Sequence, residues 1–277
     1  MGNKKYSISI FILEIFMILL ALIVIFPIVF VLMNSVKTLQ QVSISVLSLP
    51  VEIHWENFGQ ALKRMNFITT FSNSIIVSVL SVAGLVLVSS MAAYQVVRDK
   101  CLAGNIIFYG IVFSMAIPFQ ALMVPLVIIA KDLNLTDSIF GLVIMYWGLL
   151  LPIAMFLYHG FIKGVPRELE EASRIDGCGK IKSFFYIVFP MLKPITTTIV
   201  IINILNVFND FTLPLIMLSS NKTRTIPLAF SVFFGAYMNQ WHLILAALTI
   251  IIIPTLIFFL FMQRHIMSGL TEGAIKG

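Results

Sequence analysis

Four polar side chains recur along an otherwise apolar stretch of the chain, residues 194–218. Asn203, Asn206 and Asp210 occupy positions i, i+3 and i+7, so they share one face of a helix, and Asn209 lies close to that face. Amides and carboxylates bond hydroxyl groups well, and they are costly against lipid. Two interpretations are open: hydrogen bonds that hold neighbouring helices together, or a polar path for a hydroxyl-rich solute.

A second group of ionisable side chains lies just before that stretch, in the polar segment 163–193. It carries six of the eighteen Lys and Arg residues and four of the twelve carboxylates. Pro166 suits a first helical turn, the glutamates after it suit a helix N-terminus, and Gly177 suits a helix end. A short amphipathic element between two apolar stretches is typical of docking to a soluble partner, and a solvated connecting hairpin is the alternative.

Other chemistries find no support in the sequence. The fragment GCGKIK, 177–182, resembles part of a phosphate-binding loop, but Arg174 occupies the place of its first glycine and Ile181 that of its Ser or Thr. Cys101 and Cys178 are far apart, and the four histidines are isolated from one another. No zinc-protease or serine-hydrolase motif is present. We therefore predict no catalytic residue, no metal site and no nucleotide site in this chain.

The composition indicates a polytopic membrane protein. The chain has 277 residues, of which 60% are hydrophobic and 11% charged, and its mean hydropathy is +1.03. Lipid-exposed backbone must satisfy its own hydrogen bonds, so the spans are expected to be helical. We predict a single all-α domain over residues 1–277 with six transmembrane helices, at about 10–33, 68–95, 104–130, 138–161, 194–218 and 242–263.

The distribution of Lys and Arg predicts the orientation. If the N-terminus is cytoplasmic, twelve basic residues fall in cytoplasmic segments and six outside. Such a bias retains loops in the cytoplasm. Both termini, the polar segment 163–193 and a tail at 264–277 are then cytoplasmic, and segment 219–241 is an outward-facing loop that partly dips back.

The polar segment resembles the EAA loop in permease subunits of binding-protein-dependent ABC importers. The resemblance rests on the run Pro166-x-Glu168-Leu169-x-Glu171-Ala172-Ser173-x-Ile175-Asp176-Gly177, followed by Phe184, Ile187, Pro190 and Pro194. The segment departs from the usual pattern at Ser173 and Cys178, where alanine is common. Both replacements are small, so close docking stays possible.

Further stretches resemble the carbohydrate-uptake branch, and in particular its maltose-permease-like second subunit. They are Asn73-Ser74, Ala92-Ala93-Tyr94, the prolines Pro118 and Pro125, the motif Asn209-Asp210-Phe211-x-x-Pro214-Leu215, and the tail 269–277.

The resemblance implies a function and its partners. A permease of this kind imports a sugar, for which an oligosaccharide is our expectation, through the bacterial cytoplasmic (inner) membrane. It works with a second permease subunit, two ATPase subunits that bind ATP and Mg, and an extracytoplasmic solute-binding protein facing the loop 219–241. Sugar and membrane lipid are its other partners; nucleic acid is not, and the chain itself holds no cofactor.

The resemblance also implies roles for particular residues. The EAA loop forms a coupling helix that docks into the ATPase, and the tail reaches toward the ATPase dimer. The expected docking residues are Glu168, Glu171, Ala172, Ser173, Asp176 and Gly177. Gly273 and Lys276 are expected to contact the ATPase from the tail, and Asn203, Asn206, Asn209 and Asp210 to line the sugar path.

Two other functions remain as alternatives. An ion-coupled secondary transporter would act without an ATPase, but it would need buried carboxylates or histidines as a relay, and Asp210 is the one carboxylate clearly inside a predicted span. An intramembrane enzyme would need a catalytic constellation that the sequence lacks.

Overall fold

The computed structural model describes residues 8–99, 101–234 and 240–274, with side chains described as far as residue 263. In these residues the regular structure is helical throughout, which confirms the all-helical prediction. The α-helices are α1 Ile8–Ser35, α2 Leu39–Ile44, α3 Glu56–Arg64, α4 Phe67–Arg98, α5 Leu102–Phe113, α6 Phe119–Asp132, α7 Ile139–Lys163, α8 Glu168–Ile175, α9 Lys180–Ser183, α10 Phe189–Met191, α11 Lys193–Asn209, α12 Thr212–Met217, α13 Ile226–Phe230 and α14 Trp241–Ala274.

The chain divides into two compact units: Met1–Asn66 with Phe230–Pro254, and Phe67–Ala229 with Thr255–Gly277. In the first unit, Asn57 fixes the end of α1 by donating to the carbonyl oxygens of Ser35 and Lys37, at 2.9 Å each. The Lys37 ammonium is buried and donates to Asn34 Oδ1 at 2.9 Å. Burial lowers the pKa of Lys37.

The second unit is built around α4, α7 and α11, whose apolar side chains form its core. One cluster, at the end nearest the polar segment, includes Tyr94, Tyr158 and Phe184. At Gly84 of α4, a Cβ atom would lie 2.2 Å from the ring of Trp147, so α4 and α7 approach too closely for a larger residue there. The polar segment is bonded to the end of α4, and α7 and α11 supply part of the lining of the cavity described below.

Within the described part of the chain, four helices are long and apolar enough to cross a membrane: α1, α4, α7 and the part of α14 from Trp241 to Gln263. Two bent helix pairs would raise the number to six if each pair were one span. In the most apolar part of α1, no residue is buried against the rest of the described chain.

The first bent pair covers the predicted third span, 104–130. Leu102–Ala116 and Phe119–Asp132 meet at 114°. Pro118 causes the break: it lacks a backbone N–H, and it pushes Ile117 into an extended conformation, at φ −82° and ψ 119°.

The second bent pair lies at the entry to α11. Lys180–Met191 and Lys193–Asn209 meet at 76°, and the first of them contains a π-helical turn at Phe184–Val188. α11 ends at Asn209, and α12 begins at Thr212. The predicted fifth span, 194–218, therefore comprises two helices in the structure.

Within the second unit, hydrogen bonds hold residues 219–224 to α4 and to the loop before α7. Asp137 Oδ1 accepts from the N–H groups of Ser219 and Ser220 at 3.1 and 3.0 Å, and from the Thr223 hydroxyl at 2.6 Å. The Thr223 hydrogen bond, followed by that of Ser220, lowers the pKa of Asp137. Asn73 donates to the carbonyl oxygens of Lys222 and Arg224, at 2.8 and 2.9 Å.

Candidate functional site: a helical hairpin and a polar cavity

Helix α8 is the central element of the polar segment, and its end is set by Gly177. This glycine has φ +82°, a left-handed conformation that costs other residues energy. Its N–H donates to the Arg174 carbonyl at 3.0 Å, and the N–H of Cys178 donates to the Ser173 carbonyl at 2.9 Å. The pair of bonds is a Schellman motif, which satisfies the last carbonyls of the helix. The prediction that Gly177 ends the helix is confirmed.

One side of the hairpin is exposed and mixes carboxylates with apolar side chains. Five of the six residues predicted to dock lie on it: Glu168, Glu171, Ala172, Asp176 and Gly177. Ile175, 87% exposed, and Leu169, 42% exposed, lie on the same surface. Large apolar side chains exposed beside charges are typical of a surface that another protein covers. We call these seven residues the outer face of the hairpin.

Ser173, the sixth predicted residue, points the other way and is 5% exposed. Its hydroxyl lies 2.8 Å from the Ser183 hydroxyl and donates to the Glu170 carbonyl at 2.8 Å. Its contacts join α8 to α9 within the hairpin and do not reach the outer face.

A buried ion pair that the sequence did not reveal fastens α8 to the end of α4. Glu170 and Arg98 expose 4% and 7% of their side chains. Arg98 donates to Glu170 Oε1 from Nη2 at 2.6 Å and from Nε at 2.7 Å. The Tyr94 hydroxyl donates to Oε2 at 2.7 Å. Arg98 also donates to the Val165 carbonyl at 3.0 Å. The carboxylate of Glu170 thus has a partner on each oxygen.

The second candidate site is a cavity of about 650 Å³ beside α11. Its lining combines aromatic, aliphatic and polar side chains, a mixture that suits a sugar with its apolar ring faces and hydroxyl edges. The lining residues are Phe119, Tyr146, Leu149, Leu150, Leu205, Asn206, Val207, Asn209, Asp210, Thr212, Leu213 and Thr255.

The four residues predicted to line a path have different environments. Asn206 is exposed in the cavity wall, and its amide bonds no other described residue. Asn209 also lines the cavity; it donates to the Leu205 carbonyl at 2.8 Å and accepts from the Thr255 hydroxyl at 3.0 Å. Asn203 is buried outside the lining and donates to the Ile199 carbonyl at 2.8 Å.

Asp210 lines the cavity, and its carboxylate also bonds the first turn of α12. Its carboxylate accepts from the N–H groups of Thr212 and Leu213 at 2.8 and 3.4 Å, and from the Tyr146 hydroxyl at 2.8 Å. Such bonds satisfy the first N–H groups of a helix. The carboxylate therefore holds the joint between α11 and α12 in place beside the cavity.

The two tail residues predicted to contact the ATPase lie at the C-terminal end of the chain. Gly273 falls in the last turn of α14, where side chains are not described, and Lys276 lies outside the described residues. Among the described residues, no three His, Cys, Asp or Glu side chains gather as metal ligands would.

Comparison with known proteins decides the family. Residues 86–272 match the family model of the binding-protein-dependent transport system inner membrane component. The chain belongs to this family. Its members are transporter permeases rather than enzymes, and the polar segment and the cavity both lie within the matched residues.

Similar proteins extend the match over the whole chain. The chain is 37% identical over 274 residues to the "Probable starch degradation products transport system permease protein AmyC" of Thermoanaerobacterium thermosulfurigenes, covering 99% of each. It is 36% identical to the melibiose/raffinose/stachyose import permease protein MelC of Bacillus subtilis, covering 82% of this chain and 83% of that one.

A solved structure supports the fold of the permease. A chain in the crystal structure of a bacterial ABC transporter involved in the import of the acidic polysaccharide alginate superposes with a TM-score of 0.79, covering 95% of this chain and 99% of that chain. The two sequences are 22% identical, so this likeness bears on the fold alone.

Proposed function

We propose that the chain is one permease subunit of an ATP-driven ABC importer and forms half of the path for an oligosaccharide. The observation that carries the proposal is the full-length similarity to a permease named for starch degradation products, with 99% of each chain covered. The melibiose/raffinose/stachyose relative supports the same substrate class.

We infer a six-span architecture over a single domain 1–277. The third span is the bent pair of Leu102–Ala116 and Phe119–Asp132, and the fifth consists of α11 and α12. In this arrangement the spans begin and end close to the residues given by the sequence. Both termini and the hairpin 163–193 are cytoplasmic in this proposal, in agreement with the excess of Lys and Arg in those segments. The protein then resides in the cytoplasmic (inner) membrane of a bacterium.

ATP hydrolysis belongs to separate subunits in this proposal. The outer face of the hairpin docks the ATPase, whereas Glu170 and Ser173 face inward. Charged side chains set the register of docking, and Ile175 and Leu169 supply the apolar contact. Gly273 and Lys276 of the tail add a second contact. A second permease and an extracytoplasmic binding protein complete the importer, and ATP and Mg are held by the ATPase.

The cavity beside α11 is the proposed part of the sugar path in this subunit. Asn206 offers an unoccupied amide to a sugar hydroxyl, and Asn209 is held by Thr255. Phe119 and Tyr146 supply aromatic surface for the apolar face of a sugar ring. Asp210 contributes chiefly by fixing the cavity wall, because its carboxylate already accepts three hydrogen bonds.

Reconstitution tests the proposal directly. The chain, the second permease, the ATPase subunits and the binding protein are placed in proteoliposomes, and uptake of labelled maltotriose and raffinose is measured. We expect uptake that requires ATP and every partner. Uptake by this chain alone, driven by a proton or sodium gradient, would establish the secondary transporter instead. An assembled complex that hydrolyses ATP but takes up neither sugar would refute the substrate class.

Substitution of Asn206 by Ala tests the sugar path. We expect the half-saturating sugar concentration for uptake to rise about 3- to 10-fold, because a single hydrogen bond contributes about 1 kcal/mol. The ATPase rate without sugar should stay unchanged. Asn203→Ala is the matched control, since Asn203 bonds its own helix and does not line the cavity. Equal effects of the two substitutions would contradict a path role for Asn206.

A further inference from the structure

The ion pair between Glu170 and Arg98 joins the hairpin directly to α4, one of the long apolar helices. Three glutamates occur in α8, and Glu170 is the one turned inward, with 4% of its side chain exposed. Arg98 is the last residue of α4. The outer face of the hairpin does not include either residue, so neither is available to touch an ATPase.

The contact is directional as well as buried. Two guanidinium nitrogens converge on Oε1 at 2.6 and 2.7 Å, and Tyr94, one turn earlier on α4, holds Oε2 at 2.7 Å. A fork of donors of this kind fixes the angle between the two groups, which apolar packing does not. The carboxylate is therefore held against two successive turns of α4, and α8 has little freedom to rotate or slide along it.

Other bonds hold the surrounding hairpin to the same place. Arg167, just before α8, donates to the Val97 carbonyl at 3.2 Å. Ser173 and Ser183 join α8 to α9, and the ring of Phe184, in the π-helical turn, lies 5.0 Å from that of Tyr94. These contacts provide a route by which a displacement of α8 can be transmitted directly to α4.

Helix α4 leads from this contact toward the sugar cavity. It has 32 residues, which corresponds to a length of roughly 48 Å. Near its other end, the ring of Phe71 lies 6.4 Å from that of Phe208 on α11, whose neighbours Val207 and Asn209 line the cavity. A rigid helix packed at both ends can carry movement between the hairpin and α11.

We propose that Glu170 and Arg98 form the joint that couples movement of the docked hairpin to α4, so that Glu170 is a positioning residue for transport. This inference rests on the proposed function. This role differs from docking, because Glu170 does not lie on the outer face of the hairpin. Loss of its carboxylate should leave the ATPase bound and hydrolysing ATP, while fewer sugar molecules are transported for each ATP hydrolysed.

The experiment measures sugar molecules transported per ATP hydrolysed in the reconstituted importer, using maltotriose. Loss of folded protein lowers both rates together and leaves this ratio unchanged, so the ratio isolates coupling. We expect Glu170→Ala to lower it about 10-fold, within the usual range for coupling between sites. The ATPase should co-purify as it does with the unmodified chain.

A double substitution separates the joint from a purely structural role. Glu170→Ala alone leaves the Arg98 charge buried without its partner, which can unfold the hairpin. Arg98→Met with Glu170→Leu removes both charges and keeps the volume, so it should restore assembly. We expect this stable double variant still to transport about 5-fold less sugar per ATP than the unmodified chain, because the directional ion pair between α8 and α4 is missing.

The control is Asp99→Asn. Asp99 pairs with Lys180 at 3.1 Å and links the same two regions, but 47% of its side chain is exposed. Its substitution should leave the ratio unchanged. A normal ratio in the double variant, or an equal loss in Asp99→Asn, would overturn the joint. If the unmodified complex shows no ATP-dependent uptake, the proposed function fails instead, and the two failures are therefore distinguishable.

Discussion

Replacing Glu171 with Lys is expected to abolish ATP-driven sugar uptake. Glu171 lies on the outer face of the hairpin beside Ile175 and Leu169, and all three residues are exposed. If the ATPase docks there, a reversed charge in the contact should weaken its binding on the order of 100-fold. The measurement is co-purification of the ATPase with the tagged permease, together with uptake in proteoliposomes.

Asp132→Lys is the matched control for this charge reversal. Asp132 is exposed at the end of α6, outside the hairpin, so its substitution changes net charge equally without touching the outer face. It should leave both co-purification and uptake intact. Normal ATPase recovery with the Glu171 variant, or equal losses in both variants, would count against docking at this face.

Replacing Gly141 with Ala is expected to destabilise the second unit more than the same substitution at any other glycine whose surroundings the structure describes. A Cβ atom there would lie 1.9 Å from the carbonyl oxygen of Leu135, which is backbone and cannot rotate away. The loop before α7 would have to shift, at a cost of about 1–3 kcal/mol. The melting temperature in detergent should fall by roughly 5–10 °C.

Gly148→Ala provides the comparison on the same helix. A Cβ atom at Gly148 meets nothing within 4 Å, and alanine favours helix more than glycine does. Its melting temperature should stay the same or rise slightly. Equal melting temperatures for the Gly141 and Gly148 variants would contradict the prediction. They would show that the loop before α7 can shift at less cost than its backbone contact indicates.

The apolar stretches and the local end signals were sufficient to predict the helical elements. Gly177 is the clearest case, because a left-handed residue after a helix is favoured by the local backbone alone. No distant partner is needed for that conformation, and the predicted helix end agrees with the structure.

The helix breaks could not be predicted from the prolines. Pro27, Pro125, Pro152 and Pro254 all lie inside helices that continue past them, whereas Pro118 ends one. A missing N–H can be tolerated when neighbouring groups satisfy the freed carbonyl, and this depends on packing that the sequence does not display. The end of α11 at Asn209 also depends on a distant contact, since the Asp210 carboxylate accepts hydrogen bonds from the first turn of α12 and from Tyr146, 64 residues away.

The sequence also did not indicate which side of α8 faces the interior of the protein. Its inward side chains are the polar Glu170 and Ser173, while the apolar Leu169 and Ile175 point outward. The usual rule that apolar residues face the interior would select the opposite side. Glu170 is buried because Arg98 and Tyr94 satisfy it, and these lie more than 70 residues earlier in the chain. The three-residue spacing of Glu170 and Ser173 is the one local signal that they share a face.

The central claim is that the hairpin 163–193 is a cytoplasmic element docked by a separate ATPase. The most direct test places a cysteine at Ile175, 87% exposed, in a chain whose Cys101 and Cys178 are replaced by Ser, and labels it with a membrane-impermeant maleimide. We predict no labelling in intact cells, labelling in inverted vesicles stripped of the ATPase, and protection when the ATPase is added back. Labelling of residue 175 from outside intact cells would contradict the account, because an ATPase in the cytoplasm could not reach it.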